Sequence, residues 1–343
     1  MGKILILYDV IPEQPRIEQQ DNLDEARHVE KAILELGNYE YLGKYPVSLD
    51  LQKTKELLRE LKPDLIFNLV ESLNDNDYLG TILPAFLETE KIKYTGSSTG
   101  SLLLSSNKVW AKQIMRANNL PTITEDYEVG HNLYVIKSIT EHCSYGMDDT
   151  AVVSVKSQAE LDLEIHKRSQ LINSYCFAEQ YLDGREFNVT LLNGRVITMS
   201  EILYLEYPEN KPKIYNYIAK WEDHSFESLH TIYSHDFSKK DQSLLEKMKK
   251  IAERCWQILN IDGYARVDFR TDSQDNPYIL EINTNPGIAE DGDFGKTLKA
   301  FGLTYNWAIN EIIKNALNPA PPTDTPVVIV EKLDNSPKLA CSC

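Results

Sequence analysis

Two acidic side chains near the end of the chain could hold a metal ion. Asp268 and Glu281 each lie in a short run of alternating apolar residues. The segment between the two runs, residues 271–277, is rich in Asp, Ser, Asn and Pro, which is typical of a turn. The pattern therefore predicts an antiparallel hairpin. If its pairing is centred on the turn, Asp268 lies opposite Glu281 and Arg266 lies opposite Asn283.

The two faces of this predicted hairpin differ in chemistry, because side chains alternate along a strand. The polar face carries Arg266, Asp268, Glu281 and Asn283, and the apolar face carries Val267, Phe269, Leu280 and Ile282. Like charges directly opposite each other destabilise a sheet, so the acid pair needs a compensating cation. A hard divalent ion bound by oxygens supplies one, with Asn283 as a third ligand. The alternative is an ordinary hairpin face whose acids are neutralised by Lys or Arg from elsewhere.

Three lysines precede the hairpin at positions that suit phosphate binding. Lys137 ends a predicted strand and is followed by a loop, residues 140–147. A cation at the end of a strand beside a loop is suited to clamp a phosphate group. Lys108 comes before it in the chain and Lys220 comes after it. For each of them an ordinary surface lysine is the alternative.

With these motifs the chain resembles the ATP-grasp carboxylate–amine ligases, in particular the D-alanine:D-alanine ligases. The resemblance depends on Arg-Val-Asp-Phe around Asp268 and on Glu-Ile-Asn-Thr-Asn-Pro-Gly from Glu281 to Gly287, and it covers residues 1–317 in motif order. It implies an α/β chain with α+β lobes, in an ATP-grasp fold whose N-terminal domain is a doubly wound parallel α/β sheet. It also implies ATP and Mg²⁺ as cofactors, with Mn²⁺ as the alternative metal.

The resemblance also implies a role for individual residues. The implied metal ligands are Asp268, Glu281 and Asn283. The implied nucleotide contacts are Lys108, Lys137, Ser144, Glu179, Tyr181, Leu182, Glu186 and Lys220. Within this set Glu179, Tyr181 and Leu182 would hold the adenine, and Glu186 the ribose hydroxyls. The implied catalytic groups are Lys220 on the phosphates and, for the oxyanion, Arg266 and the backbone N–H of Gly287. For Arg266 a structural salt bridge is the alternative.

The implied reaction is amide formation through an acyl phosphate, but two segments depart from the family. The phosphate-covering loop of the family is rich in Gly and Ser, whereas His142 and Cys143 stand there in this chain. On the acceptor side Glu71 could orient a substrate amine. The acids Glu290, Asp291 and Asp293 would repel a free carboxylate and could bind an amine or guanidinium. We therefore expect an amino acid or peptide acceptor other than D-alanine. The alternative is a nucleotide-binding or regulatory protein of the same fold that has lost ligase activity.

Hydrophobic periodicity predicts the elements that must position these residues. In the first third, short apolar strands alternate with amphipathic helices, as in a parallel doubly wound sheet. There the pattern predicts strands over 3–8 and 64–70 and helices over 21–36, 50–61 and 79–90. Further on it predicts a helix over 106–118, strands over 134–137, 151–155, 176–182, 187–192 and 196–203, and helices over 238–260 and 304–317. The Asp-Gly pair at 183–184 predicts that residues 177–187 form a hairpin.

This order of elements predicts three domains and a tail. They are an N-terminal α/β domain over 1–104, a central ATP-grasp lobe over 105–183 and a C-terminal ATP-grasp lobe with the metal site over 184–317. The last segment, 318–343, is rich in proline, which predicts a flexible tail. Only its apolar run 327–330 could add an edge strand.

Length, charge and cysteine content narrow the function further. The chain has 343 residues, which is too long for one simple core. Lys and Arg number 36 against 52 Asp and Glu, so the net charge is −16, which argues against nucleic acid and anionic membranes as partners. Five sparse cysteines suggest no disulfide framework. We expect a cytoplasmic protein that acts on small amino acid or peptide substrates, and a homodimer is compatible with these properties.

Overall fold

The structure is a computed structural model that describes residues 2–123, 129–130, 132–141 and 143–319. Its first part contains three strands, β1 (Gly2–Asp9), β2 (Tyr39–Val47) and β3 (Leu65–Asn68), which pair in parallel in the order β2-β1-β3. Three helices accompany them, α1 (Ile17–Leu36), α2 (Leu51–Leu61) and α3 (Ile82–Glu90). A short 3₁₀ helix, Asp77–Thr81, precedes α3.

Helices cover both faces of this sheet. On β1, Ile4 and Ile6 pack with side chains of α1, whereas Leu5 and Leu7 pack with side chains of α2 and α3. Both faces of the strand are therefore buried, which is why it reads as a continuous apolar run. The predicted doubly wound parallel sheet is confirmed. Strand β2 was not predicted, because Glu40, Gly43, Lys44 and Pro46 interrupt its apolar pattern.

The next part of the chain forms two helices and a small sheet. The helices are α4 (Thr99–Ser106) and α5 (Lys108–Ala117), where the sequence predicted one helix from 106. Asn107 separates them, because its side chain accepts a hydrogen bond from Trp110 N and caps α5. Strands β4 (Leu133–Ser138), β5 (Val152–Ser154) and β6 (Cys176–Gln180) form an antiparallel sheet in the order β5-β4-β6, with α6 (Gln158–Ile172) preceding β6.

A larger antiparallel sheet follows. Its strands are β7 (Glu186–Leu192), β8 (Arg195–Tyr204), β9 (Thr231–Ser234), β10 (Tyr264–Thr271) and β11 (Pro277–Asn283), in the order β11-β10-β7-β8-β9. The short helices α7 (Tyr217–Trp221) and α8 (Phe226–His230) precede β9, and α9 (Gln242–Leu259) covers one face of the sheet. On α9 the side chains of Leu244, Met248, Cys255 and Leu259 are buried, and Ile251 is half-buried.

The chain ends on helices α10 (Asp293–Ala300) and α11 (Tyr305–Leu317). On α11, the side chains of Ile309, Ile312 and Ile313 are fully buried in the same apolar cluster as Ile4 and Ile6. The last described helix therefore packs against the first sheet, so the beginning and the end of the chain share one core.

The predicted hairpin is present in the predicted register. Asp268 pairs with Glu281, and Arg266 pairs with Asn283. A bulge follows, because Phe269 pairs with Ile279 rather than with Leu280. Ile279 is therefore buried on the apolar face, and Leu280 lines a cleft instead. The prediction that Leu280 lies on the apolar face was wrong, since a bulge shifts every later side chain by one position.

The predicted hairpin over 177–187 was wrong. Strand β6 pairs in the three-stranded sheet and β7 in the five-stranded sheet, so Asp183 and Gly184 connect two sheets. Arg185 N donates to Thr271 Oγ1 at 3.0 Å, and Thr271 N donates to Arg185 O at 2.9 Å. The Asp-Gly pair favours a turn locally, but long-range pairing decided which strands meet.

Each of the three sheets lies inside one of the predicted domain ranges, and the division into domains stays a prediction. The predicted flexible tail over 318–343, with its run 327–330, lies outside the described residues from residue 320 onward.

A substitution at Gly184 can show how tightly the connection between β6 and β7 packs against β10. A Cβ at this residue would lie 2.0 Å from Thr271 O, so Gly184→Ala must shift the backbone. We expect it to lower the free energy of unfolding by about 1–3 kcal/mol, measured by denaturant unfolding. Gly100→Ala is the control, because its Cβ would meet nothing within 4 Å and alanine favours a helix. Equal stability of the two variants would contradict the tight contact.

Candidate active site

One cleft collects residues from the three-stranded antiparallel sheet, from the five-stranded sheet, from α1 and from the segment that follows β3. Its empty volume is about 1800 Å³, which includes the open solvent at its mouth. The residues implied by the sequence that line it are Glu71, Lys108, Lys137, Ser144, Glu179, Tyr181, Leu182, Glu186, Lys220, Arg266, Asp268, Glu281, Asn283 and Gly287. Residues as far apart in the chain as Glu71 and Gly287, 216 positions, therefore line one site.

The acid pair of the hairpin is partly neutralised by protein cations. Arg266 donates to both oxygens of Asp268, from Nε at 2.7 Å and from Nη2 at 2.9 Å. Asn188 Nδ2 donates to Asp268 Oδ1 at 2.6 Å. Lys108 Nζ lies 3.6 Å from Glu281 Oε1. Arg266 thus forms the salt bridge that was its alternative role. Burial lowers the pKa of Arg266, but the charge of Asp268 outweighs burial and raises that pKa well above its usual range.

The donor set of the hairpin suits a hard cation. Asp268, Glu281 and Asn283 bring only oxygen ligands to the cleft, and such ligands fit Mg²⁺ or Mn²⁺. In the part of the chain that the structure describes, no group of three or more His, Cys, Asp or Glu side chains could hold a metal ion. Two carboxylates and an amide leave coordination positions for phosphate oxygens, as in magnesium–nucleotide sites.

Lys137 is held by a buried acid rather than standing free. Glu179 is 1% exposed, and its carboxylate lies 2.5 Å from Lys137 Nζ and 2.8 Å from Lys112 Nζ. Burial lowers the pKa of Lys137, but Glu179 outweighs it, so that pKa is raised. Burial dominates at Lys112, whose pKa is lowered. Sequence reasoning missed Lys112, although it lies one helical turn after Lys108 on α5.

The connection between β6 and β7, together with the first residue of β7, also lines the cleft. Its Glu186 carboxylate accepts hydrogen bonds from Tyr204 Oη and from Arg270 Nη1, both at 2.5 Å. Burial lowers the pKa of Arg270, but Glu186 outweighs it and raises that pKa. Arg270 was missed, although strand alternation places it on the same face as Arg266 and Asp268.

The loop that begins at Cys143 lies against the segment that carries Lys220. Ser144 Oγ donates to Tyr215 O at 3.0 Å, and Trp221 Nε1 donates to Cys143 O at 3.0 Å. Lys220 Nζ lies 4.9 Å from the centroid of the Trp221 ring. Burial raises the pKa of Cys143 to about 12, so its thiol is protonated at neutral pH. His142 itself lies outside the described residues.

The opposite end of the cleft is acidic. Besides Glu71 it is lined by Glu18, Asp21 and Asp77, none of which the sequence singled out. Tyr217 Oη donates to Glu18 Oε2 at 2.7 Å. Burial, with the charges of Glu25 and Asp9 adding to it, raises the pKa of Glu71 well above its usual range.

The three acids after Gly287 do not join this site. Glu290 pairs with Lys31 at 3.0 Å, and Asp291 is 78% exposed beside His28. Asp293 begins α10. None of the three is among the described residues that line the cleft, so their predicted contact with the substrate finds no support in this geometry.

A buried acid holds the backbone beside Gly287 instead. Glu25 is 2% exposed, and its Oε1 accepts a hydrogen bond from Ile288 N at 2.6 Å. Asn285 Nδ2 donates to Val70 O at 3.2 Å. The loop after β11 is thereby attached to the N-terminal sheet and its helix. Burial outweighs the hydrogen bond from Ile288 and raises the pKa of Glu25 from 4.5 to about 8.

This raised pKa makes stability depend on pH. Between pH 5 and 8 folded Glu25 keeps a proton that the unfolded chain releases, so its contribution to stability falls as pH rises. Glu25→Gln keeps the acceptor for Ile288 N but cannot titrate. We expect the variant to gain stability relative to the wild type as pH rises from 5 to 8.5, measured by urea unfolding. Glu40→Gln, at an exposed position, is the control, and parallel pH curves for Glu25→Gln and the wild type would refute the burial of this charge.

Comparisons with known proteins match this chain to one family. The sequence model of the family described as "D-ala D-ala ligase C-terminus" matches residues 128–314. D-alanine–D-alanine ligases of Rickettsia massiliae and of Francisella tularensis subsp. novicida are each 28% identical to this chain. The first alignment covers 87% of this chain and 88% of the relative, and the second covers 92% and 98%.

Solved structures share the fold. The D-alanine–D-alanine ligase of Bacillus anthracis complexed with ATP matches with a TM-score of 0.67 at 19% identity, over 92% of this chain and 98% of that chain. The ligase of Coxiella burnetii matches with a TM-score of 0.62 at 17% identity, over 92% and 94%. These matches confirm the predicted ATP-grasp fold.

Among the described helices none has the length and apolar content to cross a membrane. The family model spans more than half of the sequence, from the small sheet to α11. The chain therefore belongs to the D-alanine–D-alanine ligase family, whose members are ATP-dependent, ADP-forming ligases.

Proposed function

We propose that this protein is an ATP- and Mg²⁺-dependent ligase that joins the carboxylate of an amino acid or peptide to an amine other than that of D-alanine. The main support is the single cleft, which combines a cationic end, an oxygen-rich hairpin face and an acidic end. A nucleotide-binding protein without catalysis would need the first two features but not an acidic pocket beyond them.

Asp268, Glu281 and Asn283 would hold the metal, with Mn²⁺ as an alternative to Mg²⁺. The ion supplies charge neutralisation for the phosphates, which is the main requirement of phosphoryl transfer. Lys137 and Lys220 would bind the same phosphates from the side of the loop. Lys112 shares the charge of Glu179 at 2.8 Å, so that Lys137 is not fully neutralised by that acid.

The first step forms an acyl phosphate. An oxygen of the substrate carboxylate attacks the γ-phosphorus, and the bond from that phosphorus to the bridging oxygen of ADP breaks. ADP takes the electron pair of that bond. The chain's part is to align carboxylate and phosphate and to keep the phosphate charge balanced.

The second step forms the amide. The neutral amine attacks the acyl carbon and the carbonyl oxygen becomes an oxyanion. Inorganic phosphate then leaves with the electrons of the C–O bond and takes up the proton that the amine nitrogen loses. Arg266 and Gly287 N–H are proposed to stabilise the oxyanion. Arg266 uses Nε and Nη2 for Asp268, and no described residue accepts a hydrogen bond from its Nη1, which supports this role.

The acidic end of the cleft is proposed to bind the amine substrate. Buried carboxylates with raised pKa values are poised to take up a cation, which would restore their charged form. Glu18 at this end is already paired with Arg16 at 2.6 Å, so Glu71 and Asp21 are the candidate partners of the ammonium group. Glu71 is the central candidate, since it was also the acid that the sequence indicated.

The alternative is a nucleotide-binding regulator of the same fold. It is favoured by Cys143 and Ser144, which adopt positive φ values of 57° and 60° where glycine would be unstrained. A loop held in this way could lack the mobility that ATP exchange requires.

The decisive experiment incubates the full chain with Mg²⁺-ATP and pools of amino acids and dipeptides, and measures ADP, phosphate and new product masses. Amine-dependent ADP formation with a new amide is expected. Tight ATP binding without such turnover in any pool would favour the regulator.

Asp268→Asn should reduce turnover by at least about 100-fold, because it replaces a charged metal ligand by a neutral amide, which binds the ion more weakly. Asp275→Asn on the same hairpin is the matched control, since Asp275 is exposed in the turn at a positive φ that asparagine accepts. Unchanged kcat in Asp268→Asn would refute the metal assignment.

Glu71→Gln should raise KM for the amine substrate by about tenfold, the loss of one charged hydrogen bond, and change KM for ATP less than about twofold. Glu290→Gln distinguishes the two predicted acceptor sites, because Glu290 lies outside the cleft. An increase of KM in Glu290→Gln alone would reverse the assignment.

A further inference from the structure

Arg270 is a buried cation in the nucleotide end of the cleft. It lines the cleft and is 4% exposed. A guanidinium is stable in such a place only if its charge and its donors are satisfied. Its side chain contacts Tyr181 and Leu182 in the connection between β6 and β7, Glu186 at the start of β7, and Tyr204 on β8.

The guanidinium holds the connection at two points. Its Nε donates to Leu182 O at 2.8 Å, and its Nη1 donates to Glu186 Oε2 at 2.5 Å. The ring centroids of Tyr181 and Tyr204 lie 5.5 and 5.8 Å from its central carbon. Strand pairing fixes this arrangement, because Arg270 on β10 lies directly opposite Glu186 on β7.

The hydrogen bonds leave particular atoms for a ligand. Tyr204 Oη donates to the same oxygen of Glu186, Oε2, at 2.5 Å. No described residue donates to Glu186 Oε1, and none accepts from the backbone N–H of Leu182. Both residues line the cleft. The connection therefore offers one carboxylate oxygen and one amide donor toward the cleft.

We infer that Arg270 is a positioning residue for the nucleotide: it holds Glu186 by one oxygen so that the other accepts hydrogen bonds from the ribose hydroxyls. This inference rests on the proposed ATP site and adds to it the residue that sets ribose recognition. Arg270 need not touch the ribose, because it acts through the fixed carboxylate. An ionised carboxylate only accepts hydrogen bonds, so a fixed one favours a sugar that keeps both hydroxyls.

A purely structural role for the salt bridge between Arg270 and Glu186 leads to a different expected result. If Arg270 only stabilises the fold, its replacement lowers the unfolding free energy but leaves the ratio of affinities for ATP and deoxy-ATP unchanged. If it positions Glu186, the ratio itself changes. The ratio of affinities is therefore the readout, and it requires no knowledge of the amine substrate.

The test titrates the full chain with Mg²⁺-ATP, Mg²⁺-2′-deoxy-ATP and Mg²⁺-3′-deoxy-ATP by calorimetry. The wild type should bind ATP about tenfold more tightly than at least one deoxy analogue, the effect of one hydrogen bond to a charged group. Arg270→Met and Arg270→Lys should bring that ratio close to one. Tyr204→Phe removes only the hydrogen bond from Tyr204 Oη to Glu186 Oε2, so it should lower the ratio of affinities partly.

Two further variants serve as controls. Arg185→Met removes a neighbouring arginine whose side chain contacts Glu201 and Asp241, at 2.6 and 2.7 Å, and it should keep the wild-type ratio. In a Glu186→Gln background, Arg270→Lys should change the ratio no further, because the two residues act through the same oxygen. Circular dichroism and thermal unfolding identify the variants that fold. If Arg270→Met does not fold, Arg270→Lys and Tyr204→Phe carry the test.

A wild-type ratio in folded Arg270→Lys and Tyr204→Phe would overturn the inference. A wild type that binds ATP and both deoxy analogues equally would also overturn it and would leave the proposed ligase reaction standing. A wild type that binds none of the nucleotides would overturn the proposed function itself, and this inference with it.

Discussion

Strand β10 must bury charge in the middle of a sheet, and the site depends on how that charge is balanced. The strand lies between β7 and β11 and carries Arg266, Asp268 and Arg270 on one face. A charge buried without a partner costs several kcal/mol. Arg266 therefore pairs with Asp268 on the same strand, and Arg270 pairs with Glu186 across to β7. Each pair places a group that the proposed reaction uses.

The same requirement organises the wider cleft. Glu179 is almost fully buried and is shared by two lysines, which places Lys137 at the phosphate end. At the other end Lys220 on α7 is a cation near Glu71, and Arg16 pairs with Glu18 at 2.6 Å. The cleft is thus divided into a cationic part and an acidic part. The net charge of −16 hides this division, because the local sign at the phosphate end opposes the sign of the whole chain.

The local sequence pattern was enough to predict the pairing of β10 with β11, but not the pairing of the strands on either side of the connection before β7. Alternation and a turn-rich segment of seven residues, 271–277, predicted that Asp268 meets Glu281, and the observed register agrees. The Asp-Gly pair at 183–184 carries an equally clear turn signal, yet the strands on its two sides belong to different sheets. A hairpin needs only its own two strands, whereas a crossing between sheets depends on partners far away in the chain, such as Thr271.

The sequence alone determined the chemistry available to this protein: the acid pair with its amide, the lysines in order, and the family whose motifs they match. These features follow from residue types and short spacings, which are known from the sequence without the fold. Only the tertiary structure decided which other charges join them. Lys112, Arg270 and Glu25 look like ordinary helix or strand residues in the sequence, and they act because folding buries them beside Glu179, Glu186 and Ile288 N. The physical reason is that burial strengthens electrostatic interactions, and burial is a property of the whole fold.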